Sequence, residues 1–165
     1  MVTFLIRFVS LFTVALWVGG GAVITFIVAP VVFGQSSSRK VAGDLVGSIL
    51  KRFDRYVMAA GPIAVLAVFA EVAGTLGAGR TLTLKLALVA AMWGLALYSR
   101  FGLTPEIRRV RQELGDDLDR VSPQDPKRRM FGRLHGLSVL CLMGEILLGA
   151  FVLALAVMTP SGPVQ

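Results

Sequence analysis

FVSLFTVALWVGGGAVITFIVAPVVFGQSSS, residues 8–38, runs 31 positions without a charged side chain. About 20 apolar residues are enough for a helix to cross the hydrocarbon core of a bilayer, whereas the apolar core of a signal peptide covers only about 7–15. Arg7 in front of the run gives it a superficial likeness to a targeting peptide. Its length instead reads as an uncleaved first membrane span.

Further along the chain the pattern repeats. Residues 56–79 and 134–159 are apolar with one acid each, Glu71 and Glu145. The stretch 86–99 lies between Lys85 and Arg100 and is only 14 residues long. It reaches spanning length as 82–103 if both cations snorkel outward along the helix. Four spans follow, at about 4–33, 56–79, 82–103 and 134–158. A composition of 55% hydrophobic residues and a mean hydropathy of +0.75 agree with a single integral membrane domain over 1–165. The expected fold is all-α, a polytopic four-helix bundle.

Fourteen of the seventeen Lys and Arg residues fall in 34–55 and 100–133, leaving Arg7, Arg80 and Lys85 elsewhere. The positive-inside rule places those two segments in the cytoplasm and both termini on the other side, in the plasma (cell inner) membrane. The net charge of +7 and pI near 10.5 then have a topological cause. Anionic lipid headgroups are the expected partner of these cations, not nucleic acid. A homo-oligomer stays open.

The basic segments are themselves patterned. Val41, Leu45, Ile49 and Phe53 recur at helical spacing opposite Lys51, Arg52 and Arg55, which predicts an amphipathic interfacial helix running into the second span. Thr104-Pro105-Glu106 reads as N-cap, N1 proline and early acid, opening a charged cytoplasmic helix through about Asp119. Ser122 to Pro126 ends it, and Lys127-Arg128-Arg129 leads toward the fourth span.

At about 100° per residue, Ser10, Thr13, Trp17, Gly20 and Gly21 share a face of the first span. On the second it is Ala60, Ala64, Ala67, Glu71, Gly74 and Ala78. The third offers Ala87, Ala90, Ala91 and Gly94 with Tyr98, and the fourth His135, Ser138, Cys141, Glu145 and Gly149. Small residues allow close helix approach, so these faces are expected to converge on a mildly polar interior. Pro62 after Gly61 is expected to bend the second helix, and Gly19-Gly20-Gly21 to loosen the first.

Glu71 and Glu145 are the ionisable residues deep within the spans, where a charge costs at least about 2.5 kcal/mol. Two readings stay open: a cation site or proton relay, or a neutral acid hydrogen-bonding between helices. His135, the single histidine, offers a metal or haem ligand, a proton relay or an interfacial hydrogen bond. Trp17 sits too deep for the interfacial aromatic belt and belongs to the core or to a cavity wall. Ser138 shares the His135 face. Met58, Met92, Met143 and Met158 are scattered and read as packing, as does Cys141, which has no second cysteine to pair with. No ligand cluster points to a metal, and no nucleotide loop, HExxH, nucleophile elbow or CxxC occurs.

Several elements together resemble a known family. Trp17-Val-Gly19-Gly20-Gly21, Ala29-Pro30-Val-Val-Phe33 and Ala42-Gly43 with Gly47 before Tyr56 are similar to the first half of the transmembrane protein 205-like domain of unknown function. Thr104-Pro105-Glu106-Ile107, Phe131, Leu134-His135 and Ser138 resemble its second half. The resemblance implies a four-span membrane protein with no activity established for the family. The Trp-x-Gly and Pro-x-x-Phe elements are more distantly similar to copper-resistance D-type and protoporphyrinogen-oxidase-type membrane proteins. Haem or copper is what that likeness would imply, and neither is favoured, because one histidine does not supply a bis-histidine haem site. The motif positions read first as architecture: Pro30 stops or bends the first helix, Phe33 folds back over the bundle, and Pro105 restarts a helix at the surface.

The leading expectation is an integral membrane protein of transporter-like or accessory type, without enzymatic activity, whose buried carboxyls handle a cation or proton. A haem- or metal-linked membrane oxidoreductase is the second reading. A structural module that binds partners through its basic loops is the third.

Overall fold

The computed structural model describes residues 1–74, 79–115 and 121–158. It contains four helices, each long and apolar enough to cross a membrane: α1 (Val2–Gln35), α2 (Arg39–Ala73), α3 (Arg80–Leu114) and α4 (Pro126–Met158). Helix α1 packs on α2 and α4, and α3 packs on the same two, which closes a four-membered ring. There is no strand among the described residues. The fold is the four-helix bundle that hydropathy indicates.

Val14, Trp17, Val57, Ala64, Val68, Val89, Met92, Ala96 and Val152 form the core. The outer surface is also apolar: Phe4, Phe8 and Phe12 stack along α1, and Leu66, Phe69, Leu140 and Phe151 are exposed. In lipid such a surface is expected, since only the backbone must be satisfied within each helix.

Two prolines mark departures from regular helix. The backbone widens into a π-helix over Ile24–Val28, just before Pro30, and over Tyr98–Leu103, just before Pro105. A proline ring clashes with the carbonyl four residues back and offers no N–H. Those carbonyls belong to Phe26 and Phe101, both inside the widened turns, where an extra residue makes room. The chain therefore carries its helix past each proline instead of stopping and restarting. Thr104 is helical (φ −58°, ψ −42°) and does not cap; its hydroxyl donates to the Ser99 carbonyl at 2.8 Å. The charged helix expected to begin there is the continuation of α3.

The interfacial helix likewise merges with the second span into one helix of 35 residues. Ser38 caps it, its Oγ accepting from the Val41 N–H at 3.2 Å. Val41 and Leu45 are exposed, while Ala42 and Val46 are buried. Helix α4 starts at Pro126, eight residues before the expected span, because Asp125 caps it: its Oδ1 accepts from the N–H groups of Lys127 at 2.7 Å and Arg128 at 3.3 Å. The basic triplet is thus the first turn of α4. Lys127 there reaches Glu113 of α3 at 3.0 Å, and this hydrogen bond and charge hold the Glu113 carboxyl below the usual range.

The inward faces expected for α1 and α4 are found over most of their length, with Ser10, Trp17, Gly21, Cys141, Glu145 and Gly149 buried and Thr13, Gly20 and Ser138 partly so, but His135 is exposed. On α2, Ala60, Ala64 and Glu71 are buried. On α3 the expectation fails. Ala87, Ala90, Ala91, Gly94 and Tyr98 are exposed, and Lys85, Val89, Met92 and Ala96 point inward. The period is right but the face is wrong, because larger side chains fill the core where alanines would leave voids. Gly20 and Gly21 are packing seats rather than a loosening device: a Cβ on Gly20 would stand 2.7 Å from the Phe53 ring, and one on Gly21 3.3 Å from Ile146. Ala78 with the end of the second span, the stretch toward Asp119 and the tail past Met158 lie outside the described residues.

Candidate functional site

The two span acids are held separately. Glu145 is buried on α4, and its Oε2 accepts a hydrogen bond from Trp17 Nε1 on α1 at 3.0 Å. Glu71, near the end of α2, is clamped by Lys85 of α3, whose Nζ lies 2.9 Å from both carboxylate oxygens. The two side chains of that pair are 4% and 6% exposed. Lys85 does not snorkel; it supplies the countercharge that makes a buried Glu71 tolerable. Sequence reading missed the pair because Lys85 was counted as a span boundary. The available signal was that a lone acid near the end of one span and a lone cation near the start of the next are joined by a short connection.

Glu145 differs from Glu71 in facing a cavity. A space of about 810 Å³ opens at the basic end of the bundle and extends up to Glu145. Leu142, Ser138 and Val57 line it at span depth, with Ala96 and Met58. The basic extensions of α2, α3 and α4 surround it farther out with Arg39, Lys51, Arg108, Arg111 and Arg128. These extensions are tied to one another. Arg111 of α3 pairs with Asp44 of α2, Arg100 of α3 reaches Asp54 of α2 at 3.9 Å, and Lys127 of α4 holds Glu113 of α3.

Several motif positions meet on this cavity. Phe33, Gly43, Phe131, His135 and Ser138 all line it, and Trp17 grips the carboxyl at its deep end. His135 is exposed on the wall, stacked on Phe131 with ring centroids 6.1 Å apart and an interplanar angle of 5°. Gly19, Pro30 and Pro105 do not line it and are exposed, so they stay with architecture. Gly20 seats Phe53, itself a wall residue. Gly43, Gly47 and Phe53 line the cavity although their sequence reads as ordinary interfacial helix, since a cavity is a product of four helices and leaves no local pattern.

Among the described residues no group of three or more His, Cys, Asp or Glu gathers as a metal site. Met92 is fully buried core, and Cys141 is buried one turn before Glu145. The donor set around His135 does not fit a centre held by several protein ligands.

A family model described as "Domain of unknown function (DUF4149)" matches residues 12–116, from α1 to just beyond α3. Neither a curated protein nor a solved structure matches the chain.

Proposed function

The chain belongs to the DUF4149 family of domains of unknown function, and from that premise we propose a transporter-like or accessory membrane protein that handles a cation or proton at Glu145. The observation that supports this is the placement of the Glu145 carboxyl, held by Trp17, at the deep end of a cavity open at the basic end. An ionisable group at span depth that faces a cavity is the usual arrangement of an ion or proton path. Glu71 leaves this role, because Lys85 already answers its charge. The basic end is oriented to the cytoplasm of the plasma membrane on the positive-inside rule, and the cations there, Lys127, Arg128 and Arg129 among them, meet anionic headgroups. The motif positions Trp17, Gly19, Pro30 and Phe33 carry a likeness to the transmembrane protein 205-like and, more distantly, copper-resistance families, which accords with a membrane protein of this type.

Infrared titration of the protein reconstituted in vesicles tests the role. A protonated-carboxyl band that responds to bulk pH or to added cation, and is missing in Glu145→Gln, is the expected result. A carboxyl spectrum indifferent to both, or unchanged by Glu145→Gln, rejects it.

The haem- or metal-linked oxidoreductase reading rests on His135, which lines the same wall. It comes second, since among the described residues a multi-ligand donor set does not gather around His135. A visible absorbance spectrum and stoichiometric metal content of the purified protein decide it.

A further inference from the structure

The same cavity carries a more specific reading, which rests on the role proposed for its deep end. Its lining is segregated by depth. The cations Arg39, Lys51, Arg108, Arg111 and Arg128 stand on the helix extensions outside the spans, and the wall between them and Glu145 is mainly apolar, interrupted by Asp54, which Arg100 approaches, and by His135 and Ser138. Phe33 and Val139 line the cavity and are also exposed, 50% and 41%. Val139 lies six residues past Arg133, about 9 Å along the helix. The cavity wall therefore reaches from the basic end into the depth of the span. A volume of about 810 Å³ is within the roughly 300–1,000 Å³ of sites that enclose one small molecule.

Inner glycines add to this shape. Gly47 and Gly132 line the cavity, and among the described residues no neighbouring helix comes within 4 Å of a Cβ built on either. Gly43 meets only Arg111, at 4.0 Å. These positions are not seats for neighbouring helices, unlike Gly20, Gly21 and Gly149. They keep the cavity wide where the apolar wall meets the cationic rim.

We propose that the cavity binds one single-chain anionic amphiphile drawn from the leaflet at the basic end, its head among the rim cations and its tail along the apolar wall toward Glu145. The shared chemistry is a carboxylate or phosphate head on one apolar chain. Guanidinium groups suit either head by bidentate hydrogen bonding. A free inorganic anion would leave the apolar wall without a partner, and charge at the head distinguishes the proposal from a generic lipid slot.

Native mass spectrometry from a non-ionic detergent tests it on the full chain. The arms are oleate, lysophosphatidylglycerol, lysophosphatidylcholine, two-chain phosphatidylglycerol and inorganic phosphate. The expected result is one equivalent of oleate or lysophosphatidylglycerol, whichever head is the natural one, bound at least tenfold more tightly than the other three. In Gly47→Leu and Gly132→Leu, which add bulk to the cavity without removing a contact, that binding should fall at least tenfold with the melting temperature kept. Equal binding by wild type and both filled variants would place the lipid on the outer surface and overturn the proposal. So would preference for phosphate alone, for the two-chain or zwitterionic lipid, or no retention at all. If the Glu145 carboxyl band still responds to pH or cation when no amphiphile binds, the failure belongs to this inference and not to the role of Glu145.

Discussion

Lys85 Nζ sits 2.9 Å from each carboxylate oxygen of Glu71, and the two side chains are sealed between α2 and α3. Removing one partner leaves an uncompensated buried charge, which costs roughly 3–5 kcal/mol, whereas replacing both by apolar residues of similar volume is near neutral or stabilising. Lys85→Met and Glu71→Gln should each lower the unfolding midpoint in detergent strongly, and the double variant Glu71→Leu with Lys85→Met should recover most of the loss. A double variant as unstable as the singles would give the pair a role beyond mutual neutralisation.

Gly61 and Trp93 make a second contact across the same two helices. A Cβ built on Gly61 would overlap the Trp93 ring, so Gly61→Ala must displace an indole from a packed interface. Overpacking of this kind costs about 1–3 kcal/mol, although alanine is the better helix former by about 1 kcal/mol. The melting temperature of Gly61→Ala should fall, and adding Trp93→Leu should restore part of it. A stabilised Gly61→Ala would show that the ring moves freely.

Helix α3 shows where sequence reading succeeds and where it stops. Hydropathy needs no knowledge of neighbours, so four spans were legible. On α1, α2 and α4 a buried polar residue, Trp17, Glu71 or Glu145, marked the inner face. On α3 the corresponding marker was Lys85, assigned to water, and the alanine stripe took its place although it faces outward. The cavity was not legible at all, since its lining comes from helix extensions far apart in the chain. The faces are testable: Met92→Ala, fully buried, should cost about 2–5 kcal/mol, and Ala91→Leu, exposed, should stay within about 0.5 kcal/mol of wild type. The reverse order in thermal unfolding would restore the alanine face to the interior.

Asp125 starts α4 eight residues before its apolar stretch and thereby sets the first turn under the cationic rim. Its Oδ1 accepts from two backbone N–H groups. Asp125→Ala removes the cap at a cost of about 0.5–2 kcal/mol, while Asn keeps an acceptor. Amide hydrogen exchange at Lys127 and Arg128 should accelerate in Asp125→Ala and stay slow in Asp125→Asn. Unchanged exchange in the alanine variant would mean that the turn is held from elsewhere, for instance by Lys127 on Glu113.

Trp17 and Glu145 separate stability from function at the deep end of the cavity. Trp17→Phe keeps the ring bulk in the core but takes the donor from a carboxyl that is 5% exposed. A buried polar group left without its partner costs about 1–3 kcal/mol. Glu145→Gln retains a carbonyl oxygen able to accept from the indole, and should cost less than Trp17→Phe. Thermal unfolding of the two variants checks the order. It also decides how the infrared experiment is read, because a folded Glu145→Gln protein makes loss of the carboxyl band a statement about that group. If Glu145→Gln is the less stable of the two, the carboxyl makes a contact beyond the Trp17 indole that an amide cannot replace.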